Sequence, residues 1–336
     1  MGRTAAIFGC AGLSLTAEER AFFRETDPAG FILFKRNCEH PDQVRALVAD
    51  LRTSVGRPTA PVLIDQEGGR VQRLRPPHWR TAPPARRFAE LYRRDPAAGL
   101  RAAWLNARLI AAELHDLGID VDCAPVLDNP APGAHDVIGD RALGGDVATI
   151  AALGRAVMDG LLAGGVLPVI KHLPGHGRAQ VDSHKHLPIV EASDAELRAR
   201  DLPPFATLAD APFAMTAHVV YRAWDADRVA TWSPDVIGRV IRDAVGFTGC
   251  LLSDDLSMQA LDGALGDRAG RAIAAGCDLA LHCNGDLTEM RDVAAAAGPI
   301  SEAAAARLAG ALGRRLEPQP IDRAAALAAL DGLLKD

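Results

Sequence analysis

The chain of 336 residues contains no apolar stretch near the roughly 18–20 residues that a membrane-spanning helix needs. Its six cysteines form no CxxC pair and no dense framework. That usage favours a reducing compartment over a disulfide-stapled secreted fold. Basic residues are not in excess: 37 Lys and Arg against 43 Asp and Glu leave a formal charge of −6. A broad nucleic-acid or anionic-membrane footprint is therefore not expected. HExxH is absent, and no internal repeat or Ser/Pro/Gly linker divides the chain. Ile7-Phe8-Gly9-Cys10 faintly resembles a lipoprotein cleavage box. The apolar run before it is only about half a dozen residues, short for a signal peptide. Ala6 stands where a myristoylation signal has Ser or Thr. Residues 5–9 read instead as a first buried strand.

What is present is alternation. Short apolar runs lie at 5–9, 30–34, 61–64, 119–124, 167–170, 213–216, 250–253 and 278–281. Amphipathic, helix-like segments lie between most of them, at 41–52, 99–117, 147–164, 195–206, 234–245 and 267–275. Continuous apolar runs are what parallel strands buried on both faces look like. Pro41 and Pro234 suit a first helical turn, and Ser233 suits an N-cap. Gly118 and Gly276 suit the position after a helix end. The expectation is α/β: a single (β/α)8 barrel of TIM type over 1–336, with 301–336 as a helical extension packed outside.

Polar groups follow the apolar runs with a pattern. Lys35-Arg36-Asn37 follows Phe34, Asp65-Gln66-Glu67-Gly68-Gly69-Arg70 follows Ile64, and Asp128 comes soon after Ala124. Lys171-His172 follows Ile170, His218 lies just after Thr216, and Asp254-Asp255 follows Ser253. In a (β/α)8 barrel the C-terminal strand ends carry the active site. Asp254 or Asp255 can serve as a nucleophile or simply cap a helix. Strand alternation points only one of the two directly at the mouth. Asp182-x-His184 can form an oriented carboxylate–imidazole pair for acid/base work, or lie solvated in a loop. A zinc site from His172, His176, His184, His186 and Asp182 is the rival chemistry. The Pro-Gly break after Leu173 denies His172 and His176 a helical i, i+4 pairing. Arg70, Arg73 and Arg141 offer rigid donor forks, for a ligand or for surface ion pairs.

Seven segments in order together resemble family 3 glycoside hydrolases, specifically the bacterial β-N-acetylhexosaminidases. They are Gly30-Phe31-Ile32-Leu33-Phe34, Ile64-Asp65-Gln66-Glu67-Gly68-Gly69-Arg70-Val71, Ile138-Gly139-Asp140-Arg141, Lys171-His172-Leu173-Pro174-Gly175-His176-Gly177, Asp182-Ser183-His184, Met215-Thr216-Ala217-His218 and Ser253-Asp254-Asp255-Leu256-Ser257-Met258. The resemblance implies Asp254 as nucleophile, His184 as acid/base and Asp182 as its partner. It implies that Asp65, Arg73, Arg141, Lys171 and His172 hold the hydroxyls of N-acetylglucosamine. Family members without an Asp-x-His loop take a glutamate from a second domain, and this chain has the loop. Leu173 replaces the usual Phe, and Ala142-Leu143 the commoner Ser-Phe. With nine Phe, four Trp and two Tyr, a long stacking platform is not expected, and a compact site for one terminal sugar is. The implied reaction is removal of terminal N-acetylglucosamine from anhydro-muropeptides in cytoplasmic cell-wall recycling. A monomer acting on a small carbohydrate, without metal or other cofactor, is expected. A broader β-glycosidase, a glycoside phosphorylase and a metal-dependent barrel hydrolase are the alternatives.

Overall fold

A computed structural model describes residues 2–133, 135–183 and 186–335. Eight parallel strands close into a barrel in chain order: β1 (Thr4–Phe8), β2 (Pro28–Leu33), β3 (Val62–Ile64), β4 (Val121–Asp122), β5 (Leu167–Leu173), β6 (Phe213–Thr216), β7 (Cys250–Asp255) and β8 (Leu279–His282). β8 pairs back onto β1, with Ala6 opposite Ala280 and Ile7 opposite Leu281. Each strand corresponds to one of the eight apolar runs, so the (β/α)8 expectation is met.

The strands have two apolar faces, as the continuous runs imply. Ile7, Ile32, Leu63, Val169, Phe213, Met215, Leu252 and Leu281 pack with one another inside the barrel. Their neighbours Phe8, Phe31, Leu33, Ile170, Ala214 and Leu251 pack outward against the helices. Burying each large side chain contributes about 1.5–3 kcal/mol. Cys123, Cys250 and Cys283 belong to the inner set, and the six cysteines are unpaired thiols.

The helices are Ala17–Thr26, Pro41–Ser54, Ala85–Arg94, Pro96–Asp116, Val147–Ala163, Asp194–Arg200, Pro203–Thr207, Leu265–Ala275, Leu287–Ala297, Glu302–Leu312 and Arg323–Leu333, plus a π-helix at Val236–Ala244. Four departures from the sequence reading stand out. The segment 195–206 is two short helices, because Pro203 and Pro204 lack the N–H that would continue the first. β4 is only two residues long: Ala124 N–H turns back to the Asp122 carbonyl at 2.8 Å, and Pro125 beyond it has no N–H to donate. The turns at 234–245 are wider than α-helical. Helices at Ala17–Thr26, Ala85–Arg94 and Leu287–Ala297 have no counterpart among the helix-like segments of the sequence. Gly118 and Gly276 do take left-handed φ of 76° and 115° past helix ends, and Ser233 Oγ accepts from Val236 N–H at 3.1 Å. Among the described residues no helix is long and apolar enough to cross a membrane.

Two buried aspartates brace the N-terminal end of the barrel. Asp120, just before β4, accepts from Arg52 at 2.6 Å, from Val62 N–H at 3.1 Å and from Arg315. Asp278, just before β8, accepts from Arg242 at 2.9 Å, from Arg307 at 2.6 Å and from Leu251 N–H at 2.8 Å. Arg307 and Arg315 tie the C-terminal helical segment to the barrel through these carboxylates.

Candidate active site

A cavity opens at the C-terminal mouth. It is lined by Asp65 and Glu67 after β3, Lys171 and His172 in β5, Met215 in β6, Asp254 and Asp255 in β7, and Leu281 and Cys283 at β8. Arg73, Ile138, Arg141, His176 and Ser183 enter from the loops. The structure thus brings Asp254, Asp65, Arg73, Arg141, Lys171 and His172 to one place. Asp182 is described and adjoins Ser183 in the wall. His184 lies outside the described residues.

The local folding of the β3 loop explains how Arg73 returns to Asp65. Gln66–Gly68 pairs antiparallel with Val71–Gln72, turning at Gly68 and Gly69 with φ of 97° and 55°. Such φ values strain any side chain with a Cβ. The buried Gln66 amide oxygen then accepts from Arg73 N–H at 2.9 Å and Leu74 N–H at 3.1 Å. That clamp delivers the Arg73 guanidinium to Asp65 at 2.9 Å, stacked 5.0 Å over the Phe34 ring. Arg70, at the tip, instead makes surface pairs with Asp136 and Asp140.

The charges form one continuous chain. Lys171 Nζ lies 2.8 Å from Asp65 and 2.8 Å from Glu67. Arg141 grips Glu67 with two bonds of 2.8 Å. Burial works against ionisation of Asp65, but Lys171 and Arg73 override it and hold its carboxyl well below the usual range. For Glu67, Arg141 and Lys171 likewise overcome burial and bring it down to about 2. Burial pushes Lys171 downward, yet its two carboxylates keep it raised and cationic. A fixed fork of donors and acceptors at the strand ends can bind sugar hydroxyls by charge-assisted hydrogen bonds. Glu67 is a strand-end group to which the sequence assigns no role. Its adjacency to Asp65 was visible, but its pairing with Arg141 depends on how two distant loops meet.

Asp128 is a second strand-end group whose role only the fold shows. Fully buried, it accepts from His172 N–H at 3.2 Å and His176 N–H at 2.7 Å, and bonds His172 Nδ1 at 2.7 Å. Burial opposes its charge, but His172 outweighs it and the carboxyl falls to about 2. The bond fixes the His172 ring with Nε2 turned away from Asp128. Gly177 packs against Asn129, whose carbonyl oxygen would lie 2.1 Å from any Cβ there.

At β7 both aspartates border the cavity. A register shift between Leu252 and Asp255 breaks the two-residue period. The two carboxylates are nonetheless held differently. Asp255 is occupied by Ser257 Oγ at 2.5 Å, Ser257 N–H at 3.1 Å and Cys283 N–H at 3.2 Å, so it braces the turn. Asp254 accepts from Asp255 N–H at 2.8 Å. His218, buried below, donates from Nε2 to the Asp255 carbonyl at 3.0 Å and takes the Thr231 hydroxyl at Nδ1, 2.7 Å away. Desolvation lowers its pKa, so the ring is a neutral strut for the end of β7.

Among the described residues, no group of three or more His, Cys, Asp or Glu is arranged to hold a metal ion. His186 is exposed, whereas His172 and His176 are buried.

Residues 9–311 match the N-terminal domain of glycosyl hydrolase family 3. A β-hexosaminidase of Methylococcus capsulatus is 42% identical over 283 residues, covering 83% of this chain and 82% of the relative. NagZ from Neisseria gonorrhoeae in complex with N-trifluoroacetyl-D-glucosamine superposes with a TM-score of 0.90 at 31% identity, covering 100% of this chain and 99% of that one. The same gonococcal protein in complex with a zinc ion gives 0.87 at 30% identity, covering 99% of each chain. The chain belongs to glycosyl hydrolase family 3 and is one of its bacterial β-N-acetylhexosaminidases.

Proposed function

We propose that the protein is an exo-acting, retaining β-N-acetylglucosaminidase that takes terminal N-acetylglucosamine from peptidoglycan fragments, the anhydro-muropeptides, in the cytoplasm. The whole chain, 1–336, would act as one catalytic unit. The observation that carries this reading is the placement of Asp254 in the same cavity as the Asp65–Lys171–Glu67–Arg141 charge chain and the ring of His172. Phe34 is the one Phe, Tyr or Trp lining that cavity among the described residues, which supports a site for one sugar over a stacking platform. N-trifluoroacetyl-D-glucosamine in the gonococcal neighbour supports a 2-acetamido sugar.

In this mechanism Asp65, Arg73, Arg141, Lys171 and His172 hold the sugar hydroxyls. The Asp254 carboxylate attacks the anomeric carbon while the bond to the leaving oxygen breaks and His184 donates it a proton. Asp182 orients the His184 ring. In the second step His184 takes a proton from water, the water oxygen bonds to the anomeric carbon, and the Asp254 ester breaks. Two inversions give retention.

The test is a panel of aryl β-N-acetylglucosaminides, β-N-acetylgalactosaminides and β-glucosides, with the first-formed anomer read by NMR. A β-anomer product and a kcat/KM at least about 100-fold higher on the 2-acetamido-glucoside than on the glucoside are expected; losing contacts to two or more groups costs about that much. Comparable turnover of the glucoside would demote the enzyme to a broad β-glycosidase. The gonococcal zinc complex makes a metal reading worth one assay. Activity that survives exhaustive chelation is expected, and loss restored by zinc would support the metal-dependent alternative.

A further inference from the structure

In the loop that carries Asp182, Ser183 is bound to both neighbouring loops. Ser183 is 3% exposed, and its hydroxyl and its carbonyl are both engaged. Its hydroxyl lies 2.9 Å from Nε2 of His176, on the loop that follows β5. Its carbonyl accepts from Ala260 N–H at 3.2 Å, on the loop that follows β7. Ser183 therefore joins the two loops that leave the Lys171–His172 and Asp254 strand ends.

His176 is built for that contact. Asp128 fixes its backbone N–H, and the Tyr221 hydroxyl fixes the neighbouring Gly175 carbonyl at 2.9 Å. Its ring is 3% exposed, yet Nδ1 has no hydrogen-bond partner among the described residues. A buried polar atom without a partner costs free energy. Phe would fill the space without that cost. Burial, the largest influence, lowers the ring's pKa to about 4, so it is neutral at working pH. A neutral imidazole kept there at a cost makes one specific bond, and that bond goes to Ser183.

We infer that His176 and Ser183 form a latch that fixes Ser183 in the cavity wall and thereby positions the chain that bears the proposed acid/base, His184. The inference rests on the proposed acid/base role of His184. His176 and Ser183 are positioning residues: they touch neither the breaking bond nor the attacking water, and act through His184.

The experiment uses the full chain with Ser183→Ala and His176→Phe, each checked for fold by circular dichroism and melting temperature. Ser183→Ala removes one hydroxyl and keeps the test sound if the larger change at His176 disturbs folding. Two substrates are compared: a 4-nitrophenyl glycoside, whose aglycone leaves unaided, and a 4-methylphenyl glycoside, whose aglycone needs a proton. Loss of one hydrogen bond that places the acid should lower kcat/KM about tenfold on the second and less than about twofold on the first. The double variant should be no worse than the single ones. Added to His184→Ala, Ser183→Ala should change neither substrate by more than about twofold. An equal fall on both aglycones, or an undiminished effect in the His184→Ala background, would overturn the latch while the acid/base reading stands. If His184→Ala itself slows both aglycones equally, the acid/base reading fails first and the latch falls with it.

Discussion

The two ends of the barrel carry the same chemistry to different ends. At the N-terminal end Asp120 and Asp278 each bind two arginines and a backbone N–H. At the C-terminal end Asp65 and Glu67 are bound by Lys171, Arg73 and Arg141. Both sets are buried ion clusters, and burial or charge alone does not tell them apart. The difference is what faces them. The lower clusters are capped by the C-terminal helical segment and their acceptors are filled by protein. The upper one borders a cavity where Asp254 also lies. A buried ion pair is weak evidence for function, and weak evidence for net stability too. Convergence of strand ends on a cavity is the stronger sign.

The sharpest way to break the comparison is to neutralise one carboxylate at each end. Asp254→Asn should lower turnover on the order of 10^4-fold with an unchanged melting curve. Asp255→Asn should leave substantial activity, because its carboxylate is committed to Ser257 and Cys283. Equal losses in the two would show that the division of roles is wrong. Asp278→Ala should do the reverse of Asp254→Asn. It strands Arg242 and Arg307 and should cost about 3–5 kcal/mol of stability by denaturant titration, with kcat of the folded enzyme intact. A large fall in kcat there would erase the contrast between the two ends.

A smaller effect sharpens the upper cluster. Lys171→Met leaves Asp65 on Arg73 and Glu67 on Arg141 but removes the cation between them. kcat/KM should fall about 10- to 100-fold, the size of a charge-assisted contact or two. Unchanged kcat/KM with reduced stability would make this cluster another brace.

The smallest effect concerns Asp122, two residues beyond Asp120 and unlike it. Asp122 accepts from Gln66 N–H at 2.9 Å, but its other oxygen has no partner among the described residues. Burial raises its pKa to about 7. A carboxyl with a raised folded pKa binds its proton more tightly when folded, so stability rises as pH falls from about 7 toward the unfolded value of 3.8. Asp122→Asn mimics the protonated acid and should be about 1–2 kcal/mol more favourable relative to wild type at pH 8 than at pH 5. Glu67 and Asp128, both held near 2, have the opposite slope. Their contribution is present above the unfolded values of 4.5 and 3.8 and is lost as pH falls through about 2. A pH-independent Asp122→Asn difference would show that Asp122 is ionised in the fold.

Much of this was legible in one dimension. The eight strands were readable because strands buried on both faces are written as unbroken apolar runs, and Asp65, Lys171, His172 and the Asp254-Asp255 pair because they follow such runs; the choice of Asp254 and the placing of Arg73 and Arg141 in the site came from the family resemblance alone. Helix Ala17–Thr26 was overlooked although its signal was present: Thr16 and Glu19 form a capping box. Glu67, Asp128 and His218 were legible as strand-end polar groups on the active-site face, but their roles were not. Glu67 meets Arg141 across 74 positions of sequence and Asp128 meets His172 across 44. No local period or spacing encodes such meetings; barrel closure makes them. The register shift in β7 was hidden for the same reason, since it arises between strands.

The account turns on Asp254 as the group that bonds to the sugar. The most direct measurement is trapping with a mechanism-based 5-fluoro-N-acetylglucosaminyl fluoride, followed by digestion and mass spectrometry of the labelled peptide. Stoichiometric label on Asp254, slowly lost in water with return of activity, is the predicted result. Label on Asp255 or another carboxylate, or turnover of the reagent with no covalent adduct at any time, would contradict it.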